Sequence, residues 1–307
     1  MVASRNFVNK LWNASRFILM NLGEADGVDG TLPAELETED RWVLSKLRCL
    51  TSAVTEHMDR YELGMAVAKL YDFVWDIFCD WTIEFAKTRL QRGGDEKRRG
   101  LNLLVLIMRT MLKLLHPFIP FVTEEIYQAL PGAEETIMTQ PWPRAEDLPA
   151  FPAEEEAFEQ VVALIRAIRT RRSEMQVPPS KKAKVLIETD REAVFAAGIP
   201  FIERLAYASE VVMVRGEAPE GAVIVITDTA RAFIPLDELI DPEQERARLK
   251  KEEADCEKEL KMIDAKLGNQ GFLQKAPPAV VQAEQEKRRR AAERIEKIRE
   301  SLKVLSV

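Results

Sequence analysis

Residues 6–22, NFVNKLWNASRFILMNL, decide how the rest of this chain is read. Their apolar members Phe7, Val8, Leu11, Trp12, Ile18, Leu19 and Leu22 recur every three or four positions, the spacing of a helix that turns one stripe towards a core. Phe17 is off that stripe. At about 100° per residue it projects nearly opposite the stripe's centre, where its helical neighbours are Lys10, Asn13, Arg16 and Met20. Two readings follow: the ring is a platform on a polar face, or another helix or a later segment covers it.

Working outward, the pattern repeats. Periodic segments around 41–58, 64–90, 101–115 and 121–130 are separated by GEADGVDGTLPAE, QRGGDE and HPFIP, so residues 1 to about 131 predict a bundle of about five helices. Five prolines between Pro131 and Pro152 predict an extended strap over the bundle surface and a domain boundary. A further helix, about 154–175, carries Phe158, Val161, Val162, Ile165 and Ile168 on one face, with Arg166, Arg169 and Arg172 beside it. Beyond VPPS the period shortens. AKVLIE, EVVMV, AVIVIT and RAFIP are β-branched runs with a helix near 191–207 between the first two, which predicts a small mixed sheet with a covering helix. From Pro242 the chain turns helical and charged: Leu249, Cys256 and Ile263 repeat every seven residues, with Leu260 and Leu267 four after the last two. After a break at GNQGFLQKAPP, the residues Val281, Arg288, Ala291, Ile295, Ile298, Leu302 and Leu305 define a second such helix, and the two predict an antiparallel coiled-coil hairpin. The expected organisation is 1–150, a helical bundle with its strap; 151–240, a basic helix and α+β connector; and 241–307, the hairpin arm.

Composition narrows the function. With 307 residues, 31% charged and 46% hydrophobic, the chain has the balance of a globular protein in water. No apolar run reaches the roughly 20 residues of a membrane span, and the N-terminus lacks the apolar centre of a signal peptide, so a cytoplasmic monomer is expected. Cys49, Cys79 and Cys256 form no CxxC pair, which gives no sign of a disulfide framework or metal site. Net charge is −7, but residues 241–307 hold 16 Lys and Arg against 14 Asp and Glu, a local +2 that leaves −9 for the remainder. Contact with a polyanion must therefore be local. No catalytic constellation is visible. His57 and His116 read as structural residues, Glu124 and Glu125 as a solvated face, and no phosphate loop, nucleophile elbow or zincin helix is present.

What remains is recognition. An exposed aromatic can stack on an unpaired base while neighbouring cations hold phosphate and an amide reads a base edge, and Lys10, Asn13, Arg16 and Phe17 supply all three. Trp75 and Trp81 in YDFVWDIFCDW fit a bundle core better. Arg166, Arg169 and Arg172, together with Lys287, Arg288, Arg289, Arg290 and Arg294, are expected to meet an RNA backbone, the last five because they outnumber what pairing with Glu needs.

NKLWNASRFILMNL, YDFVWDIFCDW, LLHPFIPFVTEEIYQALPG, TIMTQPWP, RSEMQVPPSKK and a terminal coiled coil with GFLQKAPPAVV resemble, in order, the carboxy-terminal part of bacterial-type valyl-tRNA synthetases. The resemblance implies a mainly α fold in which a class I anticodon-binding bundle precedes an arm that touches the outer corner of tRNA. It also implies that the first helix faces the anticodon loop, with Lys10, Arg16 and Phe17 among the reading residues. The family's His-Ile-Gly-His and Lys-Met-Ser-Lys-Ser signatures and its editing domain are absent. The chain alone is therefore expected to be inactive and without a cofactor, ATP and Mg being implied only for a full-length ligase. Valine tRNA is the expected partner, with a catalytic half of the synthetase as a second candidate, and Met1 at the start of the bundle suggests a fragment or a separately encoded half. Two alternatives stand beside this reading: the same region of an isoleucyl or leucyl enzyme, and a coiled-coil interaction protein without tRNA specificity.

Overall fold

The chain runs through α1 (Val2–Leu22), α2 (Thr38–Asp59), α3 (Leu63–Asp72), a π-helical segment (Phe73–Thr82), α4 (Ile83–Arg92), α5 (Gly94–Leu115) and α6 (Pro120–Ala129) before the strap. After it come α7 (Pro152–Glu174), β1 (Ala183–Glu188), α8 (Glu192–Leu205), β2 (Ala208–Met213), β3 (Ala222–Ile226), β4 (Arg231–Pro235), α9 (Leu236–Leu239) and α10 (Pro242–Leu267). The computed structural model describes residues 2–23, 27–216, 221–239, 242–268, 282, 284–293 and 295–296. Val281, Arg294, Ile298, Leu302, Leu305 and most of GNQGFLQKAPP lie outside those residues, as does the side chain of Leu249. Two compact units form, one from 1–165 with 191–201, the other from 166–190 with 202–307.

In the first unit α5 is buried from Gly100 onward over most of its circumference, only a stripe of Leu106, Arg109, Thr110 and Lys113 staying partly exposed. Leu101, Leu103, Leu104, Val105, Ile107, Met108, Met111, Leu112, Leu114 and Leu115 are all buried, so the other helices have to surround it. Its one buried amide is used in full. Asn102 accepts the N–H groups of Asp29 and Gly30 at 3.0 Å and donates to the carbonyls of Gly27 and Arg98, which pins the α1–α2 loop to the core. Gly30, at φ +79°, is needed there, because a Cβ would stand 2.9 Å from Val105.

The predicted 64–90 helix is continuous, but its middle third is wound wider. Ile83 N–H bonds back five residues to Phe78 O, and Thr82 Oγ1 reaches Ile77 O. The strap crosses α2 as expected: Trp142 Nε1 donates to Thr55 Oγ1 at 2.8 Å, and Arg48 holds the carbonyls of Ala145 and Leu148. His57 and His116 are structural, bonded to Glu62 and Thr123, and Glu124 accepts from Thr136 and the Ile137 N–H. Trp81 is core; Trp75 is only half-buried.

The second unit carries a four-stranded sheet in the order β2-β1-β4-β3, with β1 parallel to β2 and β4 antiparallel to both its neighbours. The arm belongs to this unit. Lys266 pairs with Glu284 and Arg288 with Asp264, so α10 and the helix of residues 284–293 run in opposite directions. That register puts Cys256 level with Ile295 and Leu260 level with Ala291, and Cys256, Ile263, Ala291 and Ile295 are buried.

One ion cluster ties α2 to α4. Arg89 bonds Asp40 at 2.8 Å and Glu39 at 2.9 Å, all three side chains being at least four-fifths buried. Its stem lies over Gly100, where a Cβ would come within 3.1 Å. Burial, reinforced by the Asp40 charge, pushes the Glu39 carboxyl up to about 6. The folded chain then holds this proton to a higher pH than the unfolded one, so the stability present below the ordinary carboxyl value is lost as pH rises towards 6. The loss is on the order of 2 kcal/mol at 1.36 kcal/mol per unit. Urea denaturation at pH 4.5 and 6.5 should show it, and Glu39→Gln should remove this part of the pH dependence.

Candidate nucleic-acid interface

The core side of α1 is narrower than its sequence suggests. Leu11 and Ile18 are fully buried, flanked by Phe7, Ala14 and Ser15, whereas Trp12 is 41% exposed. This corrects the expected stripe. Ser15 takes the inner place because its hydroxyl bonds back to the Trp12 carbonyl at 2.8 Å and so carries no unmet polar group into the core. Burial centred on Leu11 and Ile18 puts Trp12 and Phe17 each about 110° from the centre, on opposite flanks. Phe17 is accordingly half-buried, neither a bare platform nor core, with Lys87 Nζ 5.8 Å above its ring. Between the two aromatics, Asn13, Arg16 and Met20 are exposed.

Lys10 does not join that band. Its ammonium lies 3.9 Å over the Trp75 ring, bonds the Trp75 carbonyl at 3.1 Å and pairs with Asp80 at 2.8 Å. Trp75 in turn stacks on Tyr71, and Tyr71 on Phe7, at centroid distances of 5.5 and 5.2 Å. Lys10 thus closes an aromatic column between α1 and the π-helical segment, and an RNA would have to draw it from Asp80. Burial pushes the nearby Cys79 thiol up to about 12, so it stays protonated there. Trp12 is the member that sequence reasoning missed: its place at the edge of the apolar stripe, beside Asn13 and Arg16, was the available sign.

Two other expectations change. Arg172 is 3% exposed, because its guanidinium is turned inward onto the carbonyls of Pro178 and Lys181 and over the Tyr207 ring, so it cannot touch a backbone phosphate. Arg166 and Arg169 are exposed, and Arg166 has a partner in the structure. In the arm each of the described cations nevertheless has an acid beside it, shared in two cases: Lys287 pairs with Glu284, Arg288 with Asp264, and Arg289 and Arg290 with Glu286. These side chains remain more than half exposed. Exposed pairs of this kind contribute only about 0–1 kcal/mol, so phosphate can compete for the cations. Among the described residues no group of three metal-ligating side chains occurs, and no helix is long and apolar enough to cross a membrane.

The chain combines a helical unit that presents an outward aromatic and cationic band with a charged helical arm, and its class is that of the tRNA-ligase domains it matches. Residues 40–187 match the anticodon-binding domain of tRNA ligase, and residues 241–306 match the valyl-tRNA synthetase tRNA binding arm. With both modules in order, the chain belongs to the carboxy-terminal part of the valyl-tRNA synthetase family. It is 43% identical to the valine–tRNA ligase of Clostridium acetobutylicum over 99% of its length and 35% of that protein. The Carboxydothermus hydrogenoformans and Bacillus cereus ligases are 42% and 41% identical over 92% and 97% of this chain. The chain spans about a third of the length of these relatives.

Removing Arg16 or Asn13 should leave stability within about 0.5 kcal/mol, since both are exposed and away from special features. Lys10→Ala should cost about 1 kcal/mol or more, as it leaves the Trp75 carbonyl and face without their partner. Thermal melts of the three variants check the division, and equal losses would refute it.

Proposed function

We propose that this chain is the tRNA-gripping, non-catalytic portion of a valine–tRNA ligase. The carrying observation is the outward band of α1, in which Asn13 and Arg16 stand exposed between Trp12 and Phe17. Phe17, with Lys87 behind it, offers a ring edge and part of a face to an unpaired anticodon base, Arg16 meets phosphate or a base edge, and Asn13 supplies an amide. Lys10 joins on release from Asp80. The arm, with Lys287, Arg288, Arg289 and Arg290, takes the outer corner of the tRNA. The match of residues 241–306 to the valyl arm favours valine tRNA over the isoleucine and leucine tRNAs. Adenylate formation, with its ATP and Mg, belongs in this reading to a catalytic part outside this chain, in the cytoplasm, and the chain acts as a monomer.

Filter binding with valine tRNA and a second tRNA of different anticodon tests the proposal. The chain should bind the first more tightly and charge neither with valine. Phe17→Ala should weaken binding by about 1–3 kcal/mol. Equal binding of both tRNAs by the parent chain would favour the interaction-protein alternative. Normal binding by Phe17→Ala would remove the ring from the interface.

A further inference from the structure

The helix and turn that bury Arg172 form a structured loop no function above accounts for. Helix α7 ends in a reverse closure in which Val177 N–H reaches back to Arg172 O at 2.9 Å and Gln176 N–H to Ser173 O at 3.0 Å. Gln176 takes the left-handed position, φ +56°, usually held by glycine. The chain then turns through Pro178, Pro179 and Ser180, which are exposed, and Lys181 N–H closes the turn on Pro178 O at 3.1 Å. The Arg172 guanidinium fills the inside of this turn, donating to the carbonyls of Pro178 and Lys181 with its plane carbon 5.6 Å from the Tyr207 ring centre.

The way that charge is satisfied is unusual within this molecule. Arg89, the other buried arginine, is met by two carboxylates, so its field is cancelled locally. Arg172 is met by carbonyl oxygens and a ring, its Nε has no partner, and burial lowers its pKa. Carbonyls satisfy donors without neutralising them, so a full positive charge stays under the turn at a desolvation cost. On the outside of the same turn, Lys181 and Lys182 make no ion pair among the described residues, and neither does Arg169, one helical turn before Arg172. Three acids on these elements have partners of their own: Glu174 pairs with Arg171, Glu210 with Lys184, and Glu238 accepts the Lys184 N–H. Four positive charges therefore gather around one six-residue turn without an ion pair among the described residues, in a chain whose net charge is −7.

We propose that the 177–182 turn, with Arg169, is a phosphodiester-binding site for RNA, separate from the α1 band and the arm, and that Arg172 is its positioning residue. Lys181, Lys182 and Arg169 contact phosphate oxygens. Arg172 holds the turn in its binding shape and adds the field of an uncompensated charge from beneath. The inference rests on the reading that the partner of this chain is tRNA.

The test is valine tRNA binding by the full chain across a salt series, for the parent, for Lys181→Ala/Lys182→Ala and for Arg172→Lys. Losing two phosphate contacts should lower the slope of log K against log salt by about 1.4–1.8, with unchanged circular dichroism. Arg172→Lys keeps the charge but is shorter and lacks the planar guanidinium that carries Nη2 to the two carbonyls over the Tyr207 ring, so affinity should fall with little change in slope, and amide exchange across 177–182 should quicken. A merely structural arginine would quicken exchange without the loss of affinity. A parent chain that does not bind tRNA overturns the ligase reading and this site with it. A parent that binds while the lysine variant keeps both its affinity and its slope overturns this site alone.

Discussion

The first unit depends on burying most of the circumference of α5. A helix with a single narrow apolar stripe can lie on a surface, but one that leaves only a thin stripe partly exposed needs neighbours around it, and α1, the continuous α3-to-α4 rod, α2 and α6 are those neighbours. The same requirement explains the polar features of the core. Where a loop must cross α5, its backbone donors need an acceptor, and Asn102 supplies one for two of them. Where α2 and α4 meet over α5, Arg89 packs its stem on Gly100 and its head between Glu39 and Asp40. Together these residues fix the surface that carries the exposed band of α1.

Cations in this chain fall into distinct groups by what satisfies them. Lys10, Arg89 and the described arm residues face carboxylates, which hold structure and mute their field. Arg172 faces carbonyls, Arg16, Arg169 and Lys182 face solvent, and Lys181 is half-buried with no ion pair among the described residues. For an acidic protein meeting a polyanion, this partition matters more than the count of basic residues, because only cations without a nearby acid present a positive potential over a Debye length.

Much of this was legible in the sequence. Helix spacing located the bundle, the prolines located the strap, and the shift to β-branched runs located the sheet. Heptad spacing placed Cys256, Ile263, Ala291 and Ile295 in buried positions of the arm. The failures share a physical form. Trp12 and Phe17 flank the buried face of α1, and which flank is covered depends on neighbours that a one-helix projection cannot include. Arg172 was read as a surface cation, and the partners of the exposed arm arginines went unseen, because charge type and spacing do not reveal a partner supplied by tertiary structure, such as Asp264, 24 residues from Arg288. Lys10 went the same way, its partner Asp80 lying 70 residues on.

The π-helical segment gives the rod a property that substitution cannot probe. Bonding each residue five back instead of four absorbs extra chain into the same axial distance, so it works as a phase adjuster between α3 and everything that follows on α4. Arg89 meets Asp40, and Lys87 stands over Phe17, only because that phase is set as it is. Taking out one residue between Phe73 and Thr82 would swing α4 by about 100° about its axis. Both partnerships would be lost although every residue that makes them is still present. In this stretch the number of residues sets the geometry as much as their identity does.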